Sequence, residues 1–278
     1  MFEMLAIFIA FFGLIIASYY DLKTTEIPDL LPIFMIVAGI TLNSLNFILT
    51  KNFENLSFSL MNGILFSIVG FSMYFLGLWG AGDAFLLSAV GFLFPKTFLI
   101  KSDFPFFLNY LTNLFLLGSI YMIFYSFFYA LKNRKAIITL KGQMKKFSKY
   151  FVIISFSFLA ASILLSYLFF KSINFKLSLI ITVTSCFLVF VWLFSKSVEK
   201  LFIKKVPVSE LKVGDVLLES KRWDGITKDE ISKIRKSGRK YVYVKSGICF
   251  APAFPLALAF TIFYGNSIVI LLSLLSLI

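Results

Sequence analysis

The chain has 278 residues, of which 59% are apolar, 19% aromatic and only 15% charged. Soluble globular domains carry about 25% charged residues, so this composition excludes a soluble enzyme, a disordered chain and a disulfide-rich secreted domain. The net charge is +13, and there is no histidine, which removes Ser-His-Asp and Cys-His hydrolases, HExxH zinc proteases and any histidine proton relay.

In chain order, apolar runs fall at roughly 3–20, 30–50, 58–79, 84–100, 106–131, 150–170, 175–195 and 250–277. A bilayer span takes about 20 residues, and eight of them use roughly 160. The expected class is therefore an all-α polytopic membrane protein of about eight transmembrane helices. The first run lacks a basic leader and reads as a span rather than a cleaved signal peptide. The fourth is short and carries Pro95.

The basic residues alternate between loops. Loop 21–29 has Lys23, loop 132–149 has Lys132, Arg134, Lys135, Lys141, Lys145, Lys146 and Lys149, and the stretch 196–249 has fourteen more. These account for 22 of the 27 Lys and Arg; the opposite loops hold only Lys51, Lys96, Lys101, Lys171 and Lys176. The positive-inside rule puts the rich set in the cytoplasm and both termini outside. It also accounts for the positive charge without a nucleic-acid partner.

A polar module is expected at 205–248, before the last span. Val206 to Leu218 alternates around a Gly214-Asp215 turn. Thr227 and Glu230 form a capping-box pattern opening a helix over about 228–237, which Ser237-Gly238 ends. Tyr241 to Val244 reads as a strand, giving a small cytoplasmic α+β module. The expected organisation is a membrane core 1–131, a basic loop 132–149, a further helix pair 150–196, the module 205–248 and a C-terminal transmembrane helix 249–278. The two cysteines, Cys186 and Cys249, lie far apart in apolar surroundings and read as inert thiols, with no CxxC pair for a metal or redox site.

Four acidic residues stand at span ends on the cytoplasmic side: Asp21, Glu26, Asp29 and Asp83. Asp21 closes the first run. Asp83 follows Gly80-Ala81-Gly82 and immediately enters an apolar run, where an ionisable group is costly and marks a functional site by default. Two carboxylates brought together share a proton. One then serves as base on a water while the other donates to a carbonyl oxygen, chemistry that needs no histidine, metal or cofactor. Gly80 and Gly82 are expected to supply positive φ and close approach for a substrate backbone. Glu26 and Asp29 read as interfacial charges with a possible supporting role.

The segment from Asp21 to Ile27-Pro28-Asp29 resembles the D-x5-I-P-[ND] motif of type IV prepilin peptidases, and Gly80-Ala81-Gly82-Asp83 resembles their GxGD motif. The stretch Gly247 to Pro255 is similar to the C-terminal region of the archaeal prepilin and preflagellin (archaellin) members. The resemblance implies an aspartic membrane endopeptidase, with Asp21 and Asp83 catalytic, that cuts the basic leader from pilin- or archaellin-type precursors at the cytoplasmic face. Its expected partners are such precursors, with their hydrophobic helix, and the lipid bilayer. Bacterial members that also methylate the new N-terminus carry a longer, cysteine-containing first loop; this one is short, which implies no methyl donor and no cofactor. Many members have Lys two residues after the GxGD aspartate, where this chain has Phe85. The alternatives are a presenilin or signal-peptide-peptidase type of GxGD protease, suggested by Tyr20-Asp21 and Pro252 to Ala257, and an ion- or proton-coupled transporter.

Overall fold

In a computed structural model, the described residues are 2–95, 104–132, scattered positions within 137–167, 202–267 and 269–270. The elements in order are α1 (Phe2–Thr24), α2 (Leu30–Thr50), α3 (Glu54–Phe75), α4 (Ala81–Leu93), α5 (Phe106–Lys132), β1 (Ile203–Pro207), β2 (Val216–Leu217), α6 (Lys228–Lys236), β3 (Tyr241–Lys245) and α7 (Ala253–Tyr264). Among the described residues, α1, α2, α3 and Phe106–Tyr129 of α5 are long and apolar enough to cross a membrane, while α4 and α7 are shorter apolar helices. The protein is thus a mostly helical, multi-pass membrane protein with a small strand-containing module near its C-terminus. The expected span 150–170 coincides with helical positions as far as these are described, and 175–195, with Cys186, lies outside the described residues.

The chain divides into two compact units, Met1–Met122 with Lys204–Ile278, and Ile123–Ile203. In the second, Phe202 stacks on Tyr129 with ring centroids 4.6 Å apart.

In the first unit α4 is the central element: Ala84, Leu86, Leu87, Ala89, Val90 and Leu93 have no exposed surface. Glycines let α2 and α3 close on it. A Cβ on Gly39 would fall 2.7 Å from the Phe92 backbone, and one on Gly70 would fall 3.0 Å from the Ala84 backbone. Such close approach drives helix association in lipid, where apolar burial gives no advantage between helices. Many large apolar side chains, Phe8, Phe12, Leu30 and Phe34 among them, point outward from the unit.

Two expected spans are corrected. The fourth runs from Ala81 to Leu93 rather than over 84–100. Its 13 residues cover about 20 Å of a hydrocarbon core about 30 Å thick. Pro95 explains the stop, because the residue before a proline is driven out of the helical region, and Phe94 is extended at φ −115°, ψ 98°. The freed carbonyls are met by side chains of α2 and α3. Asn43 Nδ2 (3.2 Å) and Ser59 Oγ (2.6 Å) donate to the Phe92 carbonyl, and Asn62 Nδ2 donates to those of Phe94 (2.9 Å) and Pro95 (3.0 Å). Backbone groups at membrane depth require partners of this kind.

The last run, expected as one helix over 250–277, is interrupted at Gly265, with φ +77°. Asn113 of α5 repairs the break: its Nδ2 donates to Thr261 Oγ1 (2.8 Å) and the Gly265 carbonyl (2.6 Å), and its Oδ1 accepts the Ser267 amide (2.9 Å).

The polar module forms the helix and the Tyr241–Val244 strand that its sequence indicates, whereas Val206–Leu218 is strand only at Val206-Pro207 and Val216–Leu217, with a 3-10 turn at Val208–Glu210 between them. Its three strands are ordered β1-β3-β2, with β2 antiparallel to β3 and Leu217 opposite Val244. Val208, Leu211, Ile226, Ile231, Val242 and Val244 make a separate small core. The Thr227 amide donates to Glu230 Oε2 (2.8 Å), and the Glu230 amide returns the bond to Thr227 Oγ1 (3.3 Å). The Thr227 amide, and the Thr227 hydroxyl that also donates to Oε2 (3.0 Å), hold the Glu230 carboxyl below its ordinary range. Gly214 and Gly238 both take positive φ, as turn and helix stop.

Candidate active site

Asp21 sits in the last turn of α1 and is buried at 7% exposure. Its carbonyl accepts the Thr25 amide (2.8 Å), and Thr25 ends the helix in the left-handed region at φ +59°. Asp83 is the third residue of α4, half-buried, and its Oδ2 accepts the Gly80 amide at 3.3 Å. Gly80 is the N-cap residue, extended at φ −75°, ψ 161°. Helices α1 and α4 pack together, and the two carboxylates are near enough for the charge of Asp21 to act on Asp83. The structure therefore brings together the two aspartates that the sequence singles out.

The glycines beside them act differently from expectation. Neither Gly80 nor Gly82 has positive φ. A Cβ on Gly82 would fall 3.0 Å from Ile27 Cβ and 3.1 Å from Ile27 Cδ1, whereas one on Gly80 would make an ordinary 3.6 Å contact with Asp83 Oδ2. Gly82 is needed for close approach of the chain's own Ile27, which joins the Ile27-Pro28 segment to the Asp83 turn. Positive φ belongs instead to Gly77 (+73°), which ends α3 four residues earlier than the apolar run suggests. The Gly77 amide donates to the Tyr74 carbonyl (2.9 Å) and the Leu78 amide to that of Met73 (2.9 Å), the paired bonds of a Schellman stop.

Of the possible supporting residues, Glu26 is exposed to solvent and lies against the polar module, where a Cβ on Gly214 would fall 2.7 Å from its Oε1. Asp29 is exposed at the start of α2 and makes no side-chain cap bond. Phe85 packs edge-on against Phe71 of α3, centroids 5.1 Å apart.

Two neighbours of the pair were not legible as such. The chain before α7 reaches Asp21 directly: the Ala251 amide donates to Asp21 Oδ2 (2.9 Å), and Cys249 Sγ donates to the Asp21 carbonyl (3.1 Å). The module also grips the turn before Asp83. Trp223 Nε1 donates to the Gly77 carbonyl (3.0 Å), Tyr74 OH donates to Asp224 Oδ1 (2.7 Å), and the Arg222 guanidinium lies 5.0 Å from the Phe75 ring centre. The only sequence signal for the first contact is the family-like stretch Gly247 to Pro255; the second has none. Among the described residues no cluster of metal-ligating side chains occurs.

Fold and site together define a polytopic helical membrane protein with a carboxylate on each of the packed helices α1 and α4. Residues 8–131, which contain both aspartates, match the type IV leader peptidase family. The chain is similar to the preflagellin peptidase of Methanocaldococcus jannaschii, 36% identical over 84 residues, or 30% of this chain and 36% of that protein. It is 37% identical to the preflagellin peptidase of Methanococcus voltae over 93 residues, covering 34% of this chain and 40% of the relative. The preflagellin peptidase of Methanococcus maripaludis is 29% identical over 156 residues, 52% of this chain and 63% of its own length. The chain thus matches less than two thirds of each of these relatives. No solved structure matches it.

Proposed function

We propose that this protein is an aspartic endopeptidase that removes the leader peptide from preflagellin- or prepilin-type precursors. The observation that carries the reading is the placement of Asp21 and Asp83 on the packed helices α1 and α4, whose segments meet again where Ile27 packs on Gly82. The leader peptidase match over residues 8–131 supports it, as do relatives named as preflagellin peptidases. The same match speaks against a presenilin-type protease or a transporter.

In the proposed reaction the ionised aspartate takes a proton from water as its oxygen attacks the scissile carbonyl carbon. The protonated partner gives its proton to the carbonyl oxygen. The resulting gem-diol intermediate collapses: one of its hydroxyls returns its proton to the second aspartate as the C=O re-forms, the C–N bond breaks, and the leaving amine takes up a proton from the first aspartate. No metal or cofactor enters this sequence. The substrate is a precursor with a basic leader ahead of a hydrophobic helix, which shares the bilayer with the enzyme. The distribution of Lys and Arg supports an active site on the cytoplasmic face with both termini outside. The short 21–29 loop leaves no room for a methyl-donor pocket of about 300 Å³, so the product keeps a free, unmethylated amine.

The test is incubation of membranes containing the protein with flagellin and pilin precursors, read by mass spectrometry. The expected result is a product shortened at its N-terminus, without a methyl increment. An intact precursor under all conditions would overturn the reading.

A further inference from the structure

Asp21 is held by a part of the chain far from it in sequence. The Ala251 amide donates to Asp21 Oδ2 (2.9 Å), and the Cys249 thiol donates to the carbonyl of the same residue (3.1 Å). Phe250, between them, packs against Trp79 with the rings tilted by 37° and centroids 5.5 Å apart, and Trp79 directly precedes the Gly80-Ala81-Gly82-Asp83 turn. Three consecutive residues therefore touch both aspartate-bearing segments.

The support is stiff. Pro252 follows Ala251 and fixes its own φ. The Ala253 and Phe254 amides donate back to the carbonyls of Phe250 (2.9 Å) and Ala251 (3.1 Å). Cys249, Ala251, Ala253 and Phe254 are all buried. Phe250 is seated at a notch in α5, where a Cβ on Gly118 would fall 2.8 Å from its ring. A carboxylate turns broadly about its terminal torsion, so an amide aimed at one oxygen selects an orientation that the helix alone does not.

We propose that the segment 249–251 is a working part of the aspartate site: through the Ala251 amide and the Cys249 thiol it positions Asp21 against Asp83. This rests on the peptidase reading above, with Asp21 and Asp83 as the reacting pair. Residues 249–251 act through Asp21 and are positioning residues, with no contact to substrate required.

The direct test removes the Ala251 N–H alone, by replacing Ala251 in the full-length protein with lactic acid through nonsense suppression. A hydrogen bond to a charged group is strong enough that kcat should fall about ten- to a hundredfold, with KM for a precursor changed less than about twofold. Unchanged kcat overturns the proposal. If kcat, KM and thermal midpoint all deteriorate together, the decision passes to a second pair. Cys249→Ser, which keeps a donor for the Asp21 carbonyl, should retain clearly more activity than Cys249→Ala; equal activity of the two counts against it. Asp21→Asn runs alongside. Activity in that variant refutes the aspartate pair itself, whereas an inactive Asp21→Asn beside a fully active ester variant refutes only the role of 249–251.

Discussion

Gly82 and Ile27 are packed so closely that a single added methyl group on the glycine would sit 3.0 Å from the Cβ of the isoleucine. The contact joins the turn carrying Asp83 to the loop that follows Asp21, so the spacing of the two carboxylates depends on a side chain that is absent. Overpacking of this sort costs about 1–3 kcal/mol. Gly82→Ala is therefore expected to lower precursor cleavage and the thermal midpoint more than Gly80→Ala, whose added Cβ meets only an ordinary contact. Equal effects of the two substitutions on cleavage would show that the Ile27 contact does not set the site.

The stunted α4 makes a second prediction. Its terminal carbonyls depend on Asn43, Ser59 and Asn62. Asn62→Leu removes the amide that donates to both the Phe94 and Pro95 carbonyls, and loss of such buried bonds costs about 1–3 kcal/mol. A marked drop in the unfolding midpoint in detergent is expected, and an unchanged midpoint would contradict this use of the asparagine.

The module's grip on Gly77 can be weakened without touching either aspartate. Trp223→Phe keeps the aromatic ring and deletes the bond to the Gly77 carbonyl. Gly77→Ala adds both the strain of an L-residue at φ +73° and a collision with the Lys221 carbonyl. Cleavage by trypsin after Lys221 and Arg222 should quicken modestly in the first variant and strongly in the second, with leader-peptide cleavage falling in the same order. Unaltered trypsin sensitivity in Gly77→Ala would mean that the loop is not held there.

Orientation is tested by single cysteines placed in a background with Cys186 and Cys249 replaced. One within 221–240 should be shielded from an impermeant thiol reagent in intact cells, and one beside Lys171 should react. The reverse pattern would put the aspartates outside and remove the cytoplasmic-cleavage proposal.

The features legible in the sequence are those carried by local rules. Asp21 and Asp83 stand out because a carboxylate interrupting an apolar run is expensive. Thr227 and Glu230 announce α6 because capping is a contact between residues three apart. The less legible features depend on tertiary partners. Nothing near Pro95 says that asparagines on two other helices will complete α4, and Asn113 gives no sign that it mends a break at Gly265. The glycines of the Asp83 motif suggested backbone freedom, yet Gly82 serves packing, because its neighbour Ile27 is brought there by α1 and α2. The Cys249–Asp21 bond spans 228 positions, which no periodicity reports.

Asp21 and Asp83 are proposed to work as one unit on a precursor peptide bond. The most direct measurement is the cleavage rate of a preflagellin by Asp21→Asn, Asp83→Asn and the double variant, each confirmed in the membrane fraction at normal amounts. Residues that act as a unit are non-additive. Each single substitution should cut the rate roughly a thousandfold or more, and the double should be no worse than either. Near-normal cleavage by either single variant, or losses that simply multiply in the double, would contradict it.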